Sequence, residues 1–467
     1  MEQNEKFYKT VWKIALPVTL QFLLQSSFSV VDQVMTGQLG SVSVAGIGLA
    51  GKFASIFSVL VSAVAAAAGI MLAQYIGQQD KQKADRSFFV NLAVTGALAL
   101  LFTGACIAGP HQIMGLYTQD SLTCDAAGGY LRIYAVSYLP MAVTALCSTY
   151  LRCAEAAALP LIAGIAAAVV NTLLNYVLIF GKAGFPALGI NGAAAGSAFA
   201  LRAAAASAAA QVIGCALTLG MLWSRLRRQK RQTQMGISEK KEKLGQLNLL
   251  MKREERRQYL GILLPILGCE LFWSLGENVY AAIYGHIGTQ ACAAMTLTSP
   301  VQMLVIGALN GLAQAAGIII GKSLGRGDYG RAYREAKKLM LYGFCGSVVL
   351  SVILVLVRES YVQIYRAEDT VKNITKEILL AFAVISPVKV QNMILGGGIL
   401  RSGGRTKYVM YIDIIGTWLF GVPLGFLAAF ALQLPIAWVY FILSLEECVR
   451  FLISVFIFRR KNWMRSL

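Results

Sequence analysis

Apolar runs of roughly 20 residues, about what one helix needs to cross a bilayer, recur along nearly the whole chain. Twelve such runs lie near 12–37, 42–75, 88–109, 131–151, 159–181, 193–223, 260–285, 292–320, 339–357, 377–399, 408–431 and 436–458. Polar residues collect between them. The pattern therefore predicts an all-α membrane protein of twelve transmembrane helices with little soluble mass. The composition agrees, at 57% hydrophobic and 14% charged over 467 residues. Met1–Lys9 is short and polar with no signal-peptide cleavage pattern, so the first helix is expected to be retained.

The pattern also repeats. Slid by 248 residues, the chain carries Pro17 onto Pro265, Gly37 onto Gly285, Gly40 onto Gly288 and Ala45 onto Ala293. Ala67-Ala68-Gly69-Ile70 meets Ala315-Ala316-Gly317-Ile318, Gly77 and Asp80 meet Gly325 and Asp328, and Arg86 meets Arg334. Leu151-Arg152 aligns with Leu400-Arg401 after a small shift. Two homologous six-helix bundles follow: an N-lobe over residues 1–224, a basic linker over 225–257 and a C-lobe over 258–467. Six helices per half give both the same orientation, with the axis relating them along the membrane normal. Transporters are commonly built this way, because a site between two similar halves can open to either side.

The net charge of +19 would suggest nucleic acid in a soluble protein, but its placement argues otherwise. Lys81, Lys83 and Arg86, the block from Arg225 to Arg257, Lys322 to Lys338, Arg401 to Lys407 and Arg459 to Arg465 all fall on one side. The opposite loops carry almost no Lys or Arg. By the positive-inside rule both termini and the central block are cytoplasmic. No nucleic-acid partner is expected; the excess marks topology and attraction to anionic membrane lipids. Nine cysteines, mostly inside apolar runs, read as small buried hydrophobes and not as a disulfide framework.

Catalytic motifs are not found. Gly317-Ile-Ile-Ile-Gly321-Lys322-Ser323 is one residue short of a phosphate loop and closes an apolar helix without a preceding strand. With only His111 and His286 and no HExxH, an ATP-driven pump or a hydrolase is disfavoured, and no enzyme activity is expected. Ionisable residues inside the membrane carry more information, since each costs at least a few kcal/mol and usually faces a cavity or a partner. Asp32 lies roughly 12 Å deep in the first span, and Asn175 about 9 Å deep in the fifth, at 1.5 Å per residue. Asn171 shares a face with Asn175 at i, i+4. One carboxylate with two amide oxygens can coordinate a small hard cation such as Na⁺, or hold a proton-exchanging carboxyl. Alternatively, the amides only join helices by hydrogen bonds, or Lys52 or Arg202, at similar depth, neutralises Asp32 in a structural pair.

In the second half, Glu270 and Glu277 share a face at i, i+7, and Lys389 comes out level with Glu277. These three form a candidate polar site of the second lobe, with Glu277–Lys389 as its expected buried pair and Glu270 without an evident partner. Glu446 and Arg450 at i, i+4 read as a structural pair. Asp32 falls on Tyr280 across the repeat, so ion chemistry is expected mainly in the first half. The Ala-rich stretch Gly192–Gln211 is read as a close-packing helix.

These residues resemble the MATE (multidrug and toxic compound extrusion) family, in particular its bacterial NorM-like and DinF-like branches. The resemblance rests on Pro17, Val31-Asp32-Gln33, Gly37-Gln38-Leu39-Gly40 and Ala73-Gln74-Tyr75-Ile76-Gly77. It continues through Asn171-Thr-Leu-Leu-Asn175 to Gly189, Glu270-Leu-Phe-Trp273-Ser-Leu-Gly276 and Leu400-Arg401-Ser-Gly403-Gly404. It implies two six-helix lobes around a central cavity, exporting amphipathic, often cationic small molecules in exchange for Na⁺ or H⁺. The family's ion-binding positions map onto Asp32, Asn171 and Asn175, and Lys389 lies near a position where many members carry an acid. The loop Arg152-Cys-Ala-Glu155 departs from the Gly-containing stretch usual after Leu-Arg.

The resulting expectation is a multi-pass antiporter of the cytoplasmic (inner) membrane working by alternating access. Pro17 is the hinge of the first span. A monomer is expected, with no cofactor beyond the coupling ion. Rival readings are a lipid-linked oligosaccharide flippase of related architecture and a non-transporting receptor or scaffold.

Overall fold

A computed structural model describes residues 2–36, 41–180, 193–234, 253–365 and 368–467. Among them there is no strand, and the helices follow the apolar runs. In chain order these are α1 Glu2–Thr36, α2 Ser41–Gly77, α3 Lys81–Ala108, α4 Ser121–Cys153, α5 Ala158–Phe180 and α6 Ala193–Gln234. The second half gives α7 Arg253–Ile287, α8 Thr289–Gly325, α9 Tyr329–Gln363, α10 Asp369–Leu400 and α11 Thr406–Ala431. The last span, α12, is interrupted at Leu445 into Ile436–Ser444 and Glu446–Arg460. Ten helices are long and apolar enough over their described residues to cross a membrane. The other two predicted spans are α1 and the interrupted α12. Of the predicted linker, α6 runs on to Gln234 and α7 begins at Arg253, while 235–252 lie outside the described residues.

The repeat has a structural cause at the turns. Asp80 caps α3 by accepting the Lys83 N–H at 2.9 Å, and its counterpart Asp328 accepts the Arg331 N–H at the same distance. A carboxylate there satisfies an orphan helix N–H and suits the positive end of the helix dipole. The residue before each cap is left-handed: Gln79 has φ 61° and Gly327 has φ 76°. A second matched pair follows spans four and ten, where Glu155 has φ 59° and Gly404 has φ 71°. The departure noted at Glu155 therefore keeps the turn geometry and only places a side chain where glycine is easiest.

By internal contacts the described residues form two compact units. One comprises Met1–Phe22, Gly69–Ala84 and Met251–Leu467; the other comprises Leu23–Ala68 and Asp85–Leu250. In the first unit, the end of α2 packs on the end of α8 through glycine. A Cβ on Gly77 would land on the Lys322 carbonyl oxygen, and one on Gly325 would land on that of Gln74. One on Gly321 would come within 2.9 Å of Ala73 Cβ. The Gly77–Lys322 and Gly325–Gln74 contacts exchange under the repeat, and Gly321 and Ala73 are each other's counterparts, so the crossing has local two-fold symmetry. The same helix end holds the last residues of the chain. Gln74 Nε2 donates to the Ser402 carbonyl at 2.7 Å, and its Oε1 accepts the Leu467 N–H at 2.7 Å. Gln78 Nε2 donates to the Leu467 carbonyl at 2.7 Å, and Trp463 is fully buried beneath.

In the second unit, Phe57, Leu131, Tyr138 and Met114 form the core, with the Phe57 and Tyr138 rings 4.5 Å apart. The Ala-rich α6 packs closely there. Ala203, Ala204 and Ala206 are buried, and a Cβ on Gly214 would come within 2.9 Å of Ala167 on α5.

Gly77→Ala and Gly325→Ala should each destabilise the protein by about 1–3 kcal/mol or more, because backbone cannot move aside as a rotamer can. Gly96→Ala, where nothing lies within 4 Å, serves as the control. Thermal unfolding in detergent should show lower midpoints for the first two and no loss for the third.

Candidate functional site

Asp32 sits on α1 near its C-terminal end, and its side chain lies outside the described residues. Asn171 and Asn175 lie one turn apart on α5, as the spacing requires. Asn175 is 1% exposed. Asn171 Oδ1 is a buried acceptor with no hydrogen-bond partner among the described residues. All three positions belong to the same compact unit. Lys52 on α2 is exposed. Pro17 lies inside the continuous α1, five residues before the point where that helix passes from one unit to the other.

The second half holds a denser set of ionisable groups. Arg450 on α12, 7% exposed, lies 3.3 Å from Glu446 Oε1, 3.7 Å from Asp413 Oδ1 on α11 and 4.0 Å from Glu447 Oε1. It also donates to Thr417 Oγ1. Glu446 and Glu447 are each 5% exposed. The Tyr280 hydroxyl on α7 donates to Glu446 Oε2. Lys389 on α10 is 3.9 Å from Glu447 Oε1, and Asn392 Nδ2 donates to Glu447 Oε2 at 2.8 Å. A side branch runs through Cys269, whose thiol donates to Asp413 and accepts from Arg401 at 3.0 Å. Arg401 pairs with Glu270 at 3.6 Å.

Local backbone makes room for this network. A Cβ on Gly416 would strike the Arg450 side chain, and one on Gly421 would strike the Tyr280 hydroxyl and the Glu446 carboxyl. Both glycines lie in a π-helical stretch, Ile415–Gly421, and α10 carries another over Met393–Leu400. Such wider turns often accompany functional or polar sites in helices.

Two sequence expectations are corrected here. Lys389 pairs with Glu447 and not with Glu277, whose side chain is exposed. Depth along a span fixes height, not direction: at 3.6 residues per turn, Gly276 and Tyr280 face inwards and Glu277 does not. Glu270, expected to lack a partner, has Arg401. The expected Glu446–Arg450 pair is present. Asp413 and Glu447 escaped the sequence reading, although each is an acid within or at the edge of an apolar run.

A family model, MatE, matches residues 17–177 and 265–427, once on each half. The uncharacterized transporter YisQ of Bacillus subtilis is 24% identical, over 100% of this chain and 96% of that protein. A probable multidrug resistance protein NorM of Rhizobium meliloti is 26% identical, over 96% of this chain and 93% of its own. Among solved structures, a mutant of the Vibrio cholerae MATE transporter VcmN has a TM-score of 0.84 at 14% identity, over 99% of this chain and all of the other. The shared fold is that of a twelve-helix, two-lobe membrane protein.

Arg450→Met would leave the buried Glu446 and Glu447 and the half-buried Asp413 around an apolar side chain and should cost about 3–5 kcal/mol. Glu277→Gln, at an exposed position, should stay within about 0.5 kcal/mol of the parent. Unfolding followed by denaturant in detergent separates the two. A Glu277→Gln variant as damaged as Arg450→Met would restore the Glu277–Lys389 pair.

Proposed function

The chain belongs to the MatE family of multi-pass membrane transporters, and on that premise we propose that it exports small amphipathic or cationic organic compounds in exchange for Na⁺ or H⁺. The observation that carries this reading is the pair of family matches, which cover both halves and the spans bearing Asp32, Asn171 and Asn175. Multidrug proteins named NorM align with the chain over nearly its whole length, which supports the substrate class. The protein works as a monomer in the cytoplasmic membrane with both termini on the cytoplasmic side, as its Lys and Arg distribution favours.

Asp32 binds the coupling ion with Asn171 and Asn175. The unmatched Asn171 Oδ1 supports this assignment, since a buried acceptor left without a donor is costly unless something fills it. For Na⁺ it supplies a hard oxygen ligand; for H⁺ it offers an acceptor to a protonated carboxyl. Occupancy changes the bend of α1 at Pro17, where a backbone hydrogen bond is already missing. Each unit charge crossing a membrane potential of about 100 mV is worth about 2.3 kcal/mol. One ion exchanged for one monovalent cation cancels that contribution; two ions restore it.

Asp32→Asn should fold normally and abolish ion-dependent dye efflux from proteoliposomes. Running the assay under separately imposed Na⁺ and pH gradients identifies the ion. Unchanged efflux in the variant would overturn the site.

A further inference from the structure

We propose that Glu446 is a second proton-exchanging carboxyl, the second bundle's counterpart of Asp32. The proposal rests on the ion-coupled reading for its role in transport, though not for its test. Across the 248-residue repeat Asp32 falls on Tyr280, which seemed to empty the second half of acid chemistry at that place. The Tyr280 hydroxyl, however, donates to Glu446 Oε2. A carboxyl thus stands against the residue that matches Asp32 in the repeat, delivered from α12 instead of from the first helix of the bundle.

The charges around it do not balance. Among the described residues Asp413, Glu446 and Glu447 are paired only with Arg450 and Lys389, the linked Glu270–Arg401 pair adds one charge of each sign, and Glu277 on α7 adds a further acid nearby. At least one negative charge is left over in a cluster whose Glu446, Glu447 and Arg450 are nearly sealed from solvent, and in a membrane interior such a charge must be neutralised. A bound proton does this more readily than a metal ion. The Arg450 guanidinium is 3.3 Å from Glu446 and Lys389 is one carboxylate away, so a second full cation would be repelled.

Among the three acids, Glu446 is the one to carry the proton. Glu447 is held by Lys389 and Asn392, and Asp413 by Arg450 and the Cys269 thiol. Glu446 shares Arg450 with both, and its other partner is the neutral Tyr280. A phenol hydroxyl both donates and accepts, so the Tyr280 bond survives in either protonation state. Tyr284 on α7, Tyr361 on α9, and Tyr440 and Cys448 on α12 are further titratable groups packed in or against this core, with Glu277 exposed on α7. The network is also incompletely satisfied: Arg450 Nε and Asn392 Oδ1 are buried without hydrogen-bond partners among the described residues. A half-satisfied buried network favours rearrangement on a change of charge. The proton comes from water and returns to water, with no other bond made or broken. One such site in each bundle supplies two protons per exported cation, the stoichiometry at which membrane potential contributes to export.

The test is infrared difference spectroscopy of the purified full chain in lipid nanodiscs, between mildly acidic and mildly alkaline pH. The expected result is a protonated-carboxyl band in Asp32→Asn, where Asp32 itself cannot contribute, that is absent when Glu446→Gln is added to it. In Tyr280→Phe the band should shift in frequency, and this variant carries the test if Glu446→Gln fails to fold. A band that persists when Glu446→Gln is added to Asp32→Asn, or one unmoved by Tyr280→Phe, overturns the proposal. A parent band lost entirely with Asp32→Asn belongs to Asp32 and overturns it equally. Failure of the Asp32 reading would instead appear as normal efflux by Asp32→Asn, leaving the Glu446 band in place.

Discussion

At the ends of α2 and α8 two backbones lie so close that no side chain fits between them, and the surrounding contacts are arranged about that approach. Lipid tails are as apolar as leucine, so helices in a membrane gain little from hiding apolar surface and depend instead on close packing. Gly77 and Gly325 permit it. Once the backbones meet, the turns that follow are confined, and each takes the same form: a left-handed residue, then an aspartate capping the next helix. Gln74 and Gln78 on the same helix end then reach the Ser402 carbonyl and the residues up to Leu467.

The second bundle solves a different problem, that of keeping charge inside an apolar medium. Side chains are removed at Gly416 and Gly421 so that Arg450, Tyr280 and Glu446 can converge, and α11 widens to a π-helix over the same residues. Pairing alone leaves a deficit there, because Arg450 is shared among three carboxylates. A cluster so composed is sensitive to a single proton in a way that an isolated pair is not. In the first bundle the paired polar side chains of α5, Asn171 and Asn175, are amides, which carry no charge to balance.

Hydropathy revealed the helices because bilayer thickness imposes their length. It could not reveal the break at Leu445 or the π-helical stretches, since both are changes of hydrogen-bond register that leave composition untouched. The match of Asp80 with Asp328 was visible as sequence, but its reason, a shared cap, needed coordinates. Glu446–Arg450 was legible because i, i+4 neighbours meet on any helix. The partner of Lys389 was not, because relative height in the membrane says nothing about which way a side chain turns.

The crossing of α2 on α8 has a further meaning for ancestry. Gly77 meets Lys322 while Gly325 meets Gln74, each contact being the other carried through the repeat. A surface that matches itself in this way is what two identical subunits use to pair about a two-fold axis. The present intramolecular contact is thus the one a single ancestral half would have made with its own copy. Fusion released each copy from having to serve both sides at once, and Gln74 and Lys322, now different residues at one ancestral position, record that release.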